Sequence, residues 1–148
     1  MNARLSLSGI AKRLCGQLPD TLGVARTGTC YDRDYLTAFA KTWPAVWVAG
    51  QRLTPLDDGR GFSGQFRQHC KIEIAIRLVV QRYADGSTDA EERLNALHDA
   101  VADALKDWTP TGADEPLVWV SAADGDATES VMTADLIFST TCTYARNA

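Results

Sequence analysis

Between Lys71 and Gln81 the apolar residues Ile72, Ile74, Ile76, Leu78 and Val80 alternate with Lys71, Glu73, Ala75, Arg77 and Gln81. Successive side chains of an extended chain point to opposite faces, so this run demands a sheet with one buried face. Something apolar has to cover that face, and two segments have the right pattern. From Asn2 to Gln17, Leu5, Leu7, Ile10, Leu14 and Leu18 fall on one side with Lys12 and Arg13 opposite, which predicts an amphipathic helix that Pro19 and Asp20 stop. From Asp89 to Asp107, Leu94, Leu97, Val101, Ala104, Leu105 and Trp108 form a second stripe. Ser87 or Thr88 can cap that helix, Glu91 and Glu92 suit its positive first turn, and residues 109–112 end it.

The remaining segments read as strands and turns. "GVARTGTCYDRDY", within Thr21 to Tyr35, lacks helical period and suits one extended strand. Trp43 to Gly50 is short and apolar, with Pro44 marking an edge or a strand start, and Arg52 to Leu56 is expected to return as a hairpin arm after a turn at Gly50 and Gln51. Residues 57 to 66, "DDGRGFSGQF", read as a glycine-rich loop. Pro116 to Ser121 is a strand closed by the turn "AADGDATES". In the final strand, Ser130 to Tyr144, Met132, Ala134, Leu136, Phe138, Thr140, Cys142 and Tyr144 share one face, as expected of a half-solvated edge or barrel-like strand. The expected fold is α+β: a mainly antiparallel sheet of four to six strands with two helices packed on one face. At 148 residues and 45% apolar, the chain is expected to form a single domain, 1–148.

Fifteen Lys plus Arg against 19 Asp plus Glu give a net charge of -4, which argues against a role in coating DNA or binding an anionic membrane. No apolar run approaches the ~20 residues of a membrane span. The first 18 residues are broken by Arg4, Ser6, Ser8, Lys12 and Arg13 where a signal peptide would be continuous, so the chain is expected to stay in the cytoplasm where it is made. Cys15, Cys30, Cys70 and Cys142 include no close pair of metal-ligand spacing, and they are expected to be free and mostly buried thiols.

No catalytic centre stands out. His98 sits off the apolar stripe of its helix and reads as a rim histidine; His69 and Cys70 are adjacent on a strand and therefore point to opposite faces. Asp57 with Asp58, Asp85 with Asp89, and Asp124 with Asp126 lie in glycine-containing turns, where Asp bonds to backbone. The run from Asp124 to Glu129 lacks the ligand spacing of a calcium loop, and "GRGFSG" lacks the ending of a phosphate loop. No cofactor and no metal are expected.

Contact surfaces are the better candidates. Trp108 and Trp119 read as core. Trp43 and Trp47 share a face four residues apart, and a short strand begun by a proline at a sheet edge is either packing or a place for a subunit to dock. Arg60, Phe62 and Phe66 combine residue types enriched at interface cores; the alternative is a surface loop whose aromatics fold back on the core.

The order of elements resembles a known family. An N-terminal helix precedes strands, "CKIEIAIRLVVQRY" leads through "ADGSTDAEE" into "RLNALHDAVADALKDW", and "PLVWVSAADGD" precedes "SVMTADLIFSTTCTY". This layout is similar to the tail terminator, or tail completion, proteins of long-tailed bacteriophages, of the minor tail protein U type. The resemblance implies a non-enzymatic virion protein, assembled in the host cytoplasm, that forms a ring, a hexamer in that family. The ring caps the tail tube, ends its polymerisation and joins the tail to the head connector. Its implied partners are its own copies, the tail tube protein and a head-tail connector protein, and DNA passes through without specific binding. Another neck or head-tail connector protein is the alternative reading, and a small hydrolase is a third.

Overall fold

The alternating run at residues 71–81 lies in the middle of the sheet. In the computed structural model, which describes residues 4–38, 41–56, 65–82, 90–128 and 130–147, the elements run α1 (Leu7–Gln17), β1 (Arg26–Thr29), α2 (Tyr35–Ala38), β2 (Ala45–Pro55), β3 (Gln65–Gln81), α3 (Ala90–Leu105), β4 (Val118–Ala127) and β5 (Val131–Asn147). The five strands form one sheet in the order β1-β2-β3-β5-β4. Only β1 and β2 are parallel; the other neighbours are antiparallel, as the α+β reading expects.

The pairing of β3 with β5 organises the rest. It runs in unbroken register from Gln65 opposite Asn147 to Gln81 opposite Val131. Ile72, Ile74, Ile76, Leu78 and Val80 point to the same side as Leu136, Phe138 and Cys142, and α1 and α3 cover that side with Ile10, Leu14, Leu97, Val101 and Leu105. Arg13 ties the helices together: its Nε donates to the Ala104 carbonyl at 3.1 Å, and its guanidinium lies 5.3 Å from the centre of the Trp108 ring. The opposite face of β3 and β5 is polar, with Arg77 paired to Asp135 across the strands at 2.9 Å. At one end that face carries a second cluster, where α2 sets Ala38 and Tyr35 against Ala45, Trp47 and Val79.

Several boundaries differ from the sequence expectation, each for a local reason. The first helix begins at Leu7 because Ser6 caps it, its hydroxyl accepting from the Gly9 N–H at 3.1 Å. Leu5 is held outside the helix by Gln51, which bonds both its N–H (3.0 Å) and its carbonyl (2.9 Å). The single strand expected over Thr21 to Tyr35 is only four residues long. A 3-10 turn at Asp20–Leu22 precedes β1, and Asp32 takes the Thr29 N–H at 2.7 Å and bends the chain toward α2. No hairpin turn forms at Gly50 and Gln51: β2 is one strand with a bulge between Val48 and Gly50, because β3 offers partners along its whole length.

Downstream, "AADGD" is strand and not turn. β4 runs on to Ala127, and the reversal is made by Thr128, whose hydroxyl accepts from the Ser130 and Val131 N–H groups at 3.2 and 3.1 Å. β5 is interior and the sheet edges are β1 and β4, which corrects the edge placement of both the last strand and the Trp43–Trp47 segment. The expected cap at Ser87 or Thr88 falls outside the described residues. All four cysteines are free, but only Cys70 and Cys142 are buried; Cys15 is exposed and Cys30 intermediate.

Two outcomes follow. Ile74→Ala opens a cavity beneath two helices and is expected to cost about 2–5 kcal/mol in chemical denaturation, whereas Leu36→Ser, at a position 80% exposed, stays within about 0.5 kcal/mol. Cys142 faces Cys70 across the β3–β5 ladder, and burial, with Cys70 beside it, pushes its thiol up to about 11. A thiol-alkylating reagent at neutral pH, with sites mapped by mass spectrometry, is therefore expected to label Cys15 first, and Cys70 and Cys142 only after unfolding.

Candidate functional site

An open sheet has two edges, and unpaired backbone there is a template for another chain. The β4 edge carries the most conspicuous apolar surface: Val118, Trp119 and Val120 are consecutive and 60%, 48% and 49% exposed. Trp119 is not part of the core, contrary to the sequence expectation. Its ring lies edge-on to His98 of α3, with centroids 5.3 Å apart and planes at 80°, and its Nε1 donates to the Ser121 carbonyl at 3.0 Å. The indole is thus held in place while half its surface faces outward. Beside it, a groove of about 290 Å³ between α3 and β4 is lined by Leu94, His98 and Asp124 among others.

Leu117 anchors this edge. It is fully buried, and its N–H donates to the Trp108 carbonyl at 2.8 Å, which fixes β4 to the end of α3. A second tie comes from β5, where the Thr140 hydroxyl donates to the Glu115 carbonyl at 2.6 Å. Gly125 lies where a Cβ would run into the Thr133 side chain, so the strand needs a glycine there.

The β1 edge is short and charged. Arg26 reaches Asp34 at 3.2 Å and Asp32 at 3.4 Å, and its guanidinium sits 5.3 Å from the Trp47 ring centre. The hydrogen bond from Arg26 holds the Asp34 carboxyl below its ordinary value and raises Arg26 in turn. Gly28 lets the two layers meet, since a Cβ there would come within 2.8 Å of the Trp47 ring and 2.5 Å of Asp32 Oδ2. Tyr31 and Leu36 stand out from this end at 70% and 80% exposure.

The residues singled out in the sequence are distributed as follows. Trp47 is fully buried beneath β1, so it can support a contact surface but not line one. Trp43 is partly buried and packs with Tyr35 on the second cluster. Phe66 belongs to β3, opposite Arg146, and not to a loop. Arg60 and Phe62 lie outside the described residues. The structure therefore brings Trp43 and Trp47 into one cluster, but the exposed apolar edge is made by residues that were not singled out as contacts. The signal for them was present: "LVWV" is apolar without alternation, and no buried helix or second sheet layer was available to cover both of its sides.

Among the described residues, catalytic groupings are sparse. Thr143 donates to Asp114 Oδ2 at 2.7 Å and lies 3.1 Å from His69 Nδ1. Among the described residues, no three His, Cys, Asp or Glu side chains are grouped to hold a metal ion. No described helix is long and apolar enough to cross a membrane.

Comparison with solved structures finds the same fold in a chain of the virion of a native gene transfer agent (GTA) particle. The TM-score is 0.66 at 13% identity, over 95% of this chain and 96% of that one. No curated protein matches the sequence. The sequence model of the phage tail terminator proteins matches residues 1–148. The chain belongs to the phage tail terminator protein family and is a structural component of a phage tail.

Proposed function

We propose that copies of this chain form a closed ring, a hexamer, that caps the tail tube, stops its polymerisation and joins the tail to the head connector. The reading rests on membership of the tail terminator family. The observation that carries it is the braced, half-exposed Trp119 between two exposed valines on an open sheet edge, a surface that a solitary protein would cover. In this reading the chain works through surfaces and not through bond chemistry. The net charge of -4 suits a ring that lets DNA pass without holding it. Assembly takes place in the host cytoplasm and the finished protein resides in the virion, between tube and head.

Arg60, Phe62 and Phe66 are assigned to the contact with the tail tube or a neighbouring copy, with Trp43 and Trp47 as the packed support of the β1–β2 end. Replacing Arg60 and Phe62 by Ala is expected to weaken assembly while circular dichroism and melting temperature stay as in the parent; unchanged assembly removes this segment from the contact.

The ring itself is tested by light scattering across a concentration series, with negative-stain imaging of large species, alone and beside purified tail tubes. A hexamer-sized ring, formed alone or only on tubes, is the expected result. A strict monomer that ignores tubes overturns it and shifts weight to a neck or connector protein.

A further inference from the structure

We infer that neighbouring copies in this ring meet edge to edge. The β4 strand of one copy, with Val118, Trp119 and Val120, lies against the β1–α2 end of the next, where Tyr31 and Leu36 are exposed. The inference rests on the ring reading and adds the surfaces that build it.

Three observations carry it. First, the two edges stand at opposite ends of one sheet, with three strands between them. A chain with unlike surfaces at its two ends makes heterologous, head-to-tail contacts, which close into a ring when the rotation per step allows. Second, each edge holds exposed large apolar side chains, and these are most of the exposed large apolar residues described: Tyr31 and Leu36 at one end, Val118, Trp119 and Val120 at the other.

Third, charge is segregated along the chain, and the topology turns that segregation into two unlike ends. Residues 109–145 contain Asp114, Glu115, Asp124, Asp126, Glu129 and Asp135 and no Lys or Arg. Residues 1–56 contain seven Lys or Arg against three Asp. The sheet order places the acidic stretch, as β4 and β5, at one end; at the other, Arg26, Arg33 and Lys41 stand against Asp32 and Asp34, and Arg4 donates to the Tyr31 hydroxyl at 3.0 Å. The β4 end is therefore acidic, whereas the β1–α2 end carries a small cationic excess that includes Arg33. Such complementarity sets register and disfavours like-to-like pairing. This argues for a second copy as the occupant of the β4 edge, in preference to a tube or connector segment. An indole clamped by His98 and the Ser121 carbonyl suits a contact centre, because little side-chain freedom is left to lose on docking.

The test uses the full chain. Trp119→Ala and Val120→Lys are expected to keep the parent melting temperature and to raise the protein concentration needed for ring formation by about tenfold or more. A charge exchange gives the direction of the contact. Asp124→Lys and Arg33→Glu each weaken assembly, and the chain carrying both assembles better than either. Wild-type rings with all variants assembling as well as the parent overturn the edge contact and leave the ring reading standing. Variants that form rings but no longer dock on tubes overturn the choice of a second copy and give the β4 edge to the tube protein. A wild type that forms no ring alone or with tubes overturns both readings.

Discussion

The antiparallel pairing of β3 with β5 is the constraint on which the other elements depend. Two long strands in unbroken register line up Ile72, Ile74, Ile76 and Leu78 with Thr140, Phe138, Leu136 and Ala134, and this creates an apolar strip that has to be covered. α3 lies over it and α1 lies beside α3 over β1 and β2, the two helices joined through Arg13 and the end of α3. A one-residue slip would exchange the buried and polar faces of either strand, so the register is fixed by burial and needs no special turn. The cross-strand Arg77–Asp135 pair on the outer face fits the same register.

From that centre outward, protection falls unevenly. On the β1 side, Trp47 and α2 make a second packed cluster beneath a short, charged edge. On the β4 side the described residues build no second layer, and all but one residue of the strand is exposed. Edge strands of soluble proteins usually carry charge or bulges to discourage pairing. β4 has both, in Asp124 and Asp126 and in two register breaks, yet it keeps the Val118–Trp119–Val120 run at its start. β4 thus combines a blunted strand end with an apolar strand start.

How much of this was legible in the residues varied with how local the cause was. The long strands and both covering helices were legible because their patterns repeat over ten or more residues, and the tail terminator layout could be recognised from their order. The fate of Gly50 was not. A glycine after a short apolar run reads as a turn, but β3 continues alongside β2 on both sides of it, and the excess residue becomes a bulge. "AADGD" departs from its local signal for the same reason: its composition is that of a turn, yet β5 supplies a ladder for it.

The candidate contacts divide along the same line. Trp43 and Trp47 were chosen for residue type and for an expected edge. Trp47 proved internal because the four residues of β1 pair in parallel with β2 and move the edge one strand outward. Trp119 reads as core because tryptophan is large and apolar, but its strand has a neighbour on one side only. By itself the sequence determined the alternation, the helical stripes and the segregation of charge, since these are periodic or additive properties of the chain. Only the tertiary structure decided which strands are edges and which tryptophan is open, because strand order depends on pairings between residues far apart in sequence.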